Sequence, residues 1–238
     1  MNGISKPFIK EKLCDYELNN YSYKDALEKD KRTIMEYYMS LIRLKHPIVF
    51  SFFPIKDYNT IIIKIDIFLI SFAVCYSINA LFFNETTIHQ IYEDQGKYNL
   101  FYFLPKIILS FILSHIIVVI IKYFFLSEKN ILDIKNKEKR SQAVDEVDKV
   151  KRCIIIKYII FYVIGSFFLI LFWYYLSSFC AVYQNSQIFL IINTFISFSI
   201  SLLYPFFINL IPMVIRKFSL SANNREWIYK TCKIIQLI

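Results

Sequence analysis

A few side chains with usable chemistry interrupt the most apolar stretches of this sequence. Lys64, Asp66, Lys122 and Lys157 are ionisable groups set among Ile, Phe and Val, His115 stands between Ser114 and a run of Ile and Val, and Asn193, Ser197 and Ser201 recur every four residues. In hydrocarbon an ionisable side chain costs at least ~2.5–3.5 kcal/mol, so each requires a reason. Lysine can snorkel to an interface but aspartate is too short to do so as well. Asp66 is therefore expected either to pair with Lys122 or Lys157, fixing three apolar segments against one another, or to sit at a wetted interface with no fixed partner. His115 fits a proton relay, a pore-lining group, or a neutral imidazole hydrogen-bonded to another helix. A four-residue spacing puts Asn193, Ser197 and Ser201 on one helical face, as interhelical glue or as the wall of a conduction path.

Bond-making chemistry is not indicated. The sequence has no nucleophile elbow, intramembrane Gly-x-Ser site, His-Glu-x-x-His helix, phosphate-binding Gly loop or voltage-sensor Arg series. Its three histidines, His46, His89 and His115, are scattered, and Cys14, Cys75, Cys153, Cys180 and Cys232 show no CxxC spacing. No metal cluster, disulfide framework or cofactor is expected, and the chain is not expected to be an enzyme.

The elements that must position these residues are four apolar blocks, at about 61–83, 101–126, 153–182 and 188–215. Each reaches the roughly 20 residues that cross a hydrocarbon core as a helix, and helices satisfy their own backbone groups there. With 56% apolar residues and only three glycines in 238 residues, the chain has more apolar surface than one small core buries. The expected fold is an all-α integral membrane protein with four transmembrane helices, an amphipathic N-terminal helix and a helical hairpin loop on the cytosolic side. Residues 1–46 form an N-terminal tail, 47–215 the transmembrane domain with a loop at 127–152, and 216–238 a C-terminal tail.

The net charge of +9 lies in the polar gaps. Lys and Arg number ten in 1–60, one in 84–100, eight in 127–152, none in 183–186 and five after residue 215. This alternation follows the positive-inside rule for four crossings with both termini cytosolic, in a plasma membrane or endomembrane. Such basic gaps suit anionic inner-leaflet lipids around a lipid bilayer, and no aromatic-interleaved patch points to nucleic acid. The leader has no secretory h-region, and its acids Glu11, Asp15 and Glu17 argue against a transit peptide, so the first span is expected to direct insertion. Phe82, Phe83, Tyr98, Phe101, Tyr102, Trp173, Tyr174 and Tyr175 are candidates for an interfacial aromatic belt.

Around the spans, Ser22 with Asp25 opens an expected helix over 22–44, with Leu27, Ile34, Tyr38, Leu41 and Ile42 near one face. That helix lies along the headgroups or packs on the bundle ends. The run 46–54 is too short to cross and reads as an interfacial or re-entrant entry. The 127–152 loop, with Ile131, Ile134, Val144 and Val147 among charges, is expected to extend the second and third spans, as a solvated face or a site for another protein. Pro205 and Pro212 should kink the fourth span, where Asn209 can satisfy a freed carbonyl. Gly165 and Ser166 offer a close-approach point. Cys153 and Cys232 are candidates for acylation beside the membrane. The sequon at Asn84 falls in the outer loop, while the one at Asn20 falls in the cytosolic tail.

The stretches "DKRTIMEYYMSLIRLKHPIVFSF", "DYNTIIIKIDIFLISFAVCYSINALFFNETTIHQIYEDQGKYN", "LSEKNILDIK", and "FCAVYQNSQIFLI" followed by "SLLYPFFINLIP" resemble a multispanning module at the C-terminal end of uncharacterised ciliate and other protist membrane proteins. The likeness begins near Tyr23. It implies a single unit that often follows a large ectodomain, and it carries no activity, cofactor or site residue. The chain begins just before that module, as a short member or a truncated gene product would. Taken together, the residues point to a membrane-anchoring or complex-assembly module that meets copies of itself or other membrane proteins. The alternative is an oligomeric ion channel or transporter subunit, with His115 and the fourth-span stripe along its path.

Overall fold

The computed structural model describes residues 13–135, 140–221 and 225–236, without the side chains of 140–146. Glu11 and the side chain of Val144 fall outside that set. The first four helices are α1 (Asp15–Asn19), α2 (Tyr23–Lys29), α3 (Ile34–Lys45) and α4 (Pro47–Phe52), and they lead into α5 (Ile61–Leu81). Then come α6 (Glu85–Glu93), α7 (Leu100–Phe125), α8 (Glu128–Lys135) and α9 (Arg140–Val182), and finally α10 (Gln187–Ile208), α11 (Leu210–Leu220) and α12 (Glu226–Ile235). Four helical segments are long and apolar enough to cross a membrane: Ile61–Leu81, Leu100–Lys135, Val147–Val182 and Gln184–Leu220.

Capping residues decide where the shorter helices begin. Ser22 accepts the Asp25 N–H as expected, but the 22–44 segment is two helices. Thr33 and Glu36 form a complete capping box that starts α3 anew, and Asp30, the C-cap of α2, turns back to Arg32 at 2.8 Å. A second start signal inside one apolar period overrides helix continuation. The buried face of α3 is Tyr37, Ser40, Leu41 and Ile42, whereas Leu27 and Ile34 are exposed. It packs on α1, α4 and α11. The 46–54 run forms only the six-residue α4, capped by His46 and packed against α3 and α5.

The loop between the second and third spans is asymmetric. α9 runs unbroken from Arg140 through the third span, as expected, but the helix stops at Leu126 and restarts at Glu128, so the second span is not extended continuously. Lys157 Nζ donates to the Leu126 carbonyl at 3.2 Å, one of the groups a helix end leaves open. The fourth span breaks at Asn209, whose side-chain amide donates to the Pro205 carbonyl at 2.7 Å. Pro212 follows in the first turn of α11, where a missing N–H costs little.

α5 is the centre of the bundle, in contact with α4, α7, α9 and α10. Ile63, Ile67, Ile70, Val74 and Ile78 pack with Phe161 of α9 into one apolar cluster. A second cluster, at the opposite end, joins Ala80 and Phe83 to Phe103, Ile107, Phe179, Phe189 and Leu190. Tyr98 stacks on Phe103 at 5.2 Å between centroids, so Phe83 and Tyr98 point into the core, while Phe101, Trp173 and Tyr174 are exposed. Lipid tails are as apolar as Leu, so such clusters hold by close packing rather than by water exclusion. At Gly165 an added Cβ would stand 3.3 Å from the Ile70 side chain, which makes this glycine the close-approach point between α9 and α5.

Candidate functional site

Lys64, Asp66, Lys122 and Lys157 gather at the end of the bundle that also carries α3, α4 and α8. The loop 53–60, set by Pro54, folds back over the start of α5 and brings Asp57 to Lys64, whose ammonium lies 3.1 Å from both carboxylate oxygens. Both side chains are almost fully buried. Burial pushes the Asp57 carboxyl above its ordinary range, against the pull of Lys64. Asp66 stands two positions further along α5 on a different face, half-buried toward Tyr162 of α9, and makes no ion pair among the described residues. Of the two expectations for Asp66, the pairing with Lys122 or Lys157 is not formed among the described residues, and Lys64 takes Asp57 as its partner. An acid in a loop reaches what an acid fixed in the helix, about 200° round from Lys64, does not.

Lys122 turns inward instead. Its ammonium and that of Lys64 lie over the Phe50 ring at 5.4 and 5.3 Å from the centroid. Beside Phe50 a cleft of about 60 Å³ opens between α4, α5, α7 and α10. Lys45 and Lys122 line it together with Ser114, His115, Ser201 and Pro205. His115 packs against the Tyr204 ring at 5.0 Å and Phe111 at 5.9 Å. Lys45, at the C-terminus of α3, is held down to about 8 by burial and by the like charge of Lys122.

The polar stripe of the fourth span goes elsewhere. Ser197 Oγ is buried within 2.8 Å of the Asn193 carbonyl and 3.3 Å of the Ile107 carbonyl of α7. It also receives the Asn79 amide of α5 at 3.2 Å. Tyr98 donates to Asn193 Oδ1 at 2.6 Å. Asn193 and Ser197 therefore tie α10 to α5, α7 and the segment before α7. Among the described residues Ser201 bonds within its own helix, to the Phe198 carbonyl at 2.6 Å, and it faces the cleft.

At the end of the fourth span the terminal helices are latched together. Arg216 of α11 is buried, ion-paired with Asp30, set over the Tyr37 ring at 4.4 Å and bonded to Tyr229 of α12 at 3.3 Å. Cys232 is buried beneath this latch with its thiol 3.3 Å from the Pro212 carbonyl, which removes it as an acylation site, whereas Cys153 is exposed. Glu17 joins α1 to α8: Lys135, the Cys14 N–H and Tyr58 each lie 2.8 Å from its carboxylate. Burial works against the Glu17 anion, yet those bonds outweigh it and hold the carboxyl at about 2. Asn84 is exposed and uses its amide oxygen to cap α6, accepting from Thr87 N at 3.0 Å. Among the described residues no group of His, Cys, Asp and Glu could hold a metal ion.

No family model, curated protein or solved structure matches this chain.

Several residues that organise the site give little sequence signal. Lys45, Asp57 and Arg216 lie outside or at the margins of the apolar blocks, where charges are ordinary. Asn79 stands near the end of a span and reads as a cap. Lys106, inside α7, bonds Tyr102 at 3.0 Å and Thr87 of α6 at the end away from Lys122. The one available signal for Asp57 is its place seven residues before the first lysine of a span.

Proposed function

We propose that the chain is a membrane-anchoring or complex-assembly module, four helices crossing the bilayer with both termini on the cytosolic side. The supporting observation is the fate of the fourth-span stripe: Asn193 and Ser197 are buried and bonded to Asn79, Tyr98 and the Ile107 carbonyl. Polar groups spent on one another inside the bundle do not wet a path. The third span supplies the assembly surface, since Ile160, Phe167, Phe168, Ile170 and Trp173 remain exposed on α9. Copies of this chain or other membrane helices are the partners of that face, with lipid covering whatever stays open. The resemblance to the protist module, resting on its quoted stretches, agrees with a tethering part of a larger assembly.

The alternative of an oligomeric channel or transporter subunit draws on one observation, that His115 and Ser201 line the same cleft. A flux assay separates the two. Purified protein in liposomes is expected to leave ion permeability at the level of empty vesicles. Reproducible ion-selective flux, lost in His115→Ala or Ser201→Ala, would overturn the anchoring reading.

A further inference from the structure

Two cations share the cleft between α4, α5, α7 and α10, and among the described residues no carboxylate reaches either at ion-pair distance. Lys45 and Lys122 both line it, they repel each other, and neither forms an ion pair or hydrogen bond among the described residues. The contrast with Lys64, one ring away across Phe50, is direct: that lysine has Asp57 at 3.1 Å. The acid that faces Lys122 is Glu128, which lies beyond ion-pair distance. A half-buried cation pair with no anion at ion-pair distance is a costly arrangement, and such charges gathered in a cleft are candidates for a binding site.

The cleft's size and walls narrow the anion. A space of about 60 Å³ admits a small group and not an acyl chain. Among its other walls, Phe68, Val118 and Phe198 are apolar residues of three spans, against which a chain attached to that group can lie. A soluble anion would use none of that surface. We propose that this cleft takes the phosphate of an anionic membrane phospholipid, held between the ammonium groups of Lys45 and Lys122, with the acyl chains along α5, α7 and α10. The site rests on the membrane-embedded reading above and names the lipid class at one place in it. A bound lipid at this position ties α3, which carries Lys45, to α7, which carries Lys122, and so couples the N-terminal helices to the bundle.

Native mass spectrometry of the full chain, released from neutral detergent with equal phosphatidylglycerol and phosphatidylcholine, reads the preference directly. At about 1 kcal/mol for each lysine, the wild type should retain the anionic lipid roughly thirtyfold over the zwitterionic one. Lys45→Met with Lys122→Met should fall to near parity, while Lys24→Met with Lys56→Met, the same charge loss at exposed positions, should keep the preference. Removing the mutual repulsion favours folding of the first pair, and Lys45→Arg with Lys122→Arg gives a charge-conserving check that should retain the lipid. Equal retention of both lipids by the wild type, or an undiminished preference in the Met pair, overturns the proposal. Inorganic phosphate raising the melting temperature as much as phosphatidylglycerol does would assign the cleft to a soluble anion instead. Flux in liposomes would sink the anchoring reading and leave this lipid preference standing; loss of the preference would leave a non-conducting anchor untouched.

Discussion

The first and third spans are both strongly apolar, yet 44% of the most apolar stretch of α5 is buried against protein and only 6% of that in α9. The difference lies in their few polar and small residues. α5 carries Lys64 and Asn79, each buried and partnered on a neighbouring segment, and Ser77, also buried. α9 carries Lys157 at its margin and Gly165 packed close to the Ile70 side chain of α5. Hydropathy locates the hydrocarbon, whereas the exceptions to it locate the protein neighbours.

The strongest way to break this contrast is at Asp57. Asp57→Ala strands the Lys64 ammonium at the start of α5 and should cost about 3–5 kcal/mol, read as the largest fall in melting temperature in detergent. Lys64→Met together with Asp57→Leu should recover most of that loss. An Asp57→Ala protein that melts like the wild type would mean the pair is solvated and α5 is not anchored by it.

A smaller effect distinguishes the two faces of α9. Gly165→Leu pushes a side chain into Ile70 and should cost about 1–3 kcal/mol by overpacking, while Phe167→Leu on the exposed face should stay within about 0.5 kcal/mol. Equal losses at the two positions would show that the exposed face already packs against something within the isolated protein.

The smallest expected effect is an acid-induced loosening where α1 meets α8, just before α9. The Glu17 carboxyl is depressed from 4.5 to about 2, so its contribution is complete above 4.5 and is lost as the pH falls toward 2. Hydrogen exchange should quicken in 15–19 and 128–135 over that window before it quickens in α5. Protection that is unchanged there, or lost first in α5, would place the acid-sensitive contact elsewhere.

The four long apolar helices, the Ser22 cap and the Asn209 amide could be read from the sequence, because each depends on local period or on a neighbour within four residues. The pairing of charges could not. Asp66 is the acid nearest the lysines in depth, but Asp57 wins because a loop can fold back and a helix position cannot. The cleft leaves no mark in the sequence for a related reason: Lys45 looks like an ordinary flanking charge until α3 and α4 carry it beside Lys122. The latch of Arg216 on Asp30 joins residues 186 apart, a distance no periodicity spans.

The central claim is that the Asn193–Ser197 stripe is dry glue and not a wet wall. It is tested most directly by Ser197→Cys in a background where Cys153 is the only native cysteine, treated in nanodiscs with a charged thiol reagent and weighed. One label, on the exposed Cys153, is the expected mass; a second label on position 197 at a comparable rate would put water where Asn79 should be.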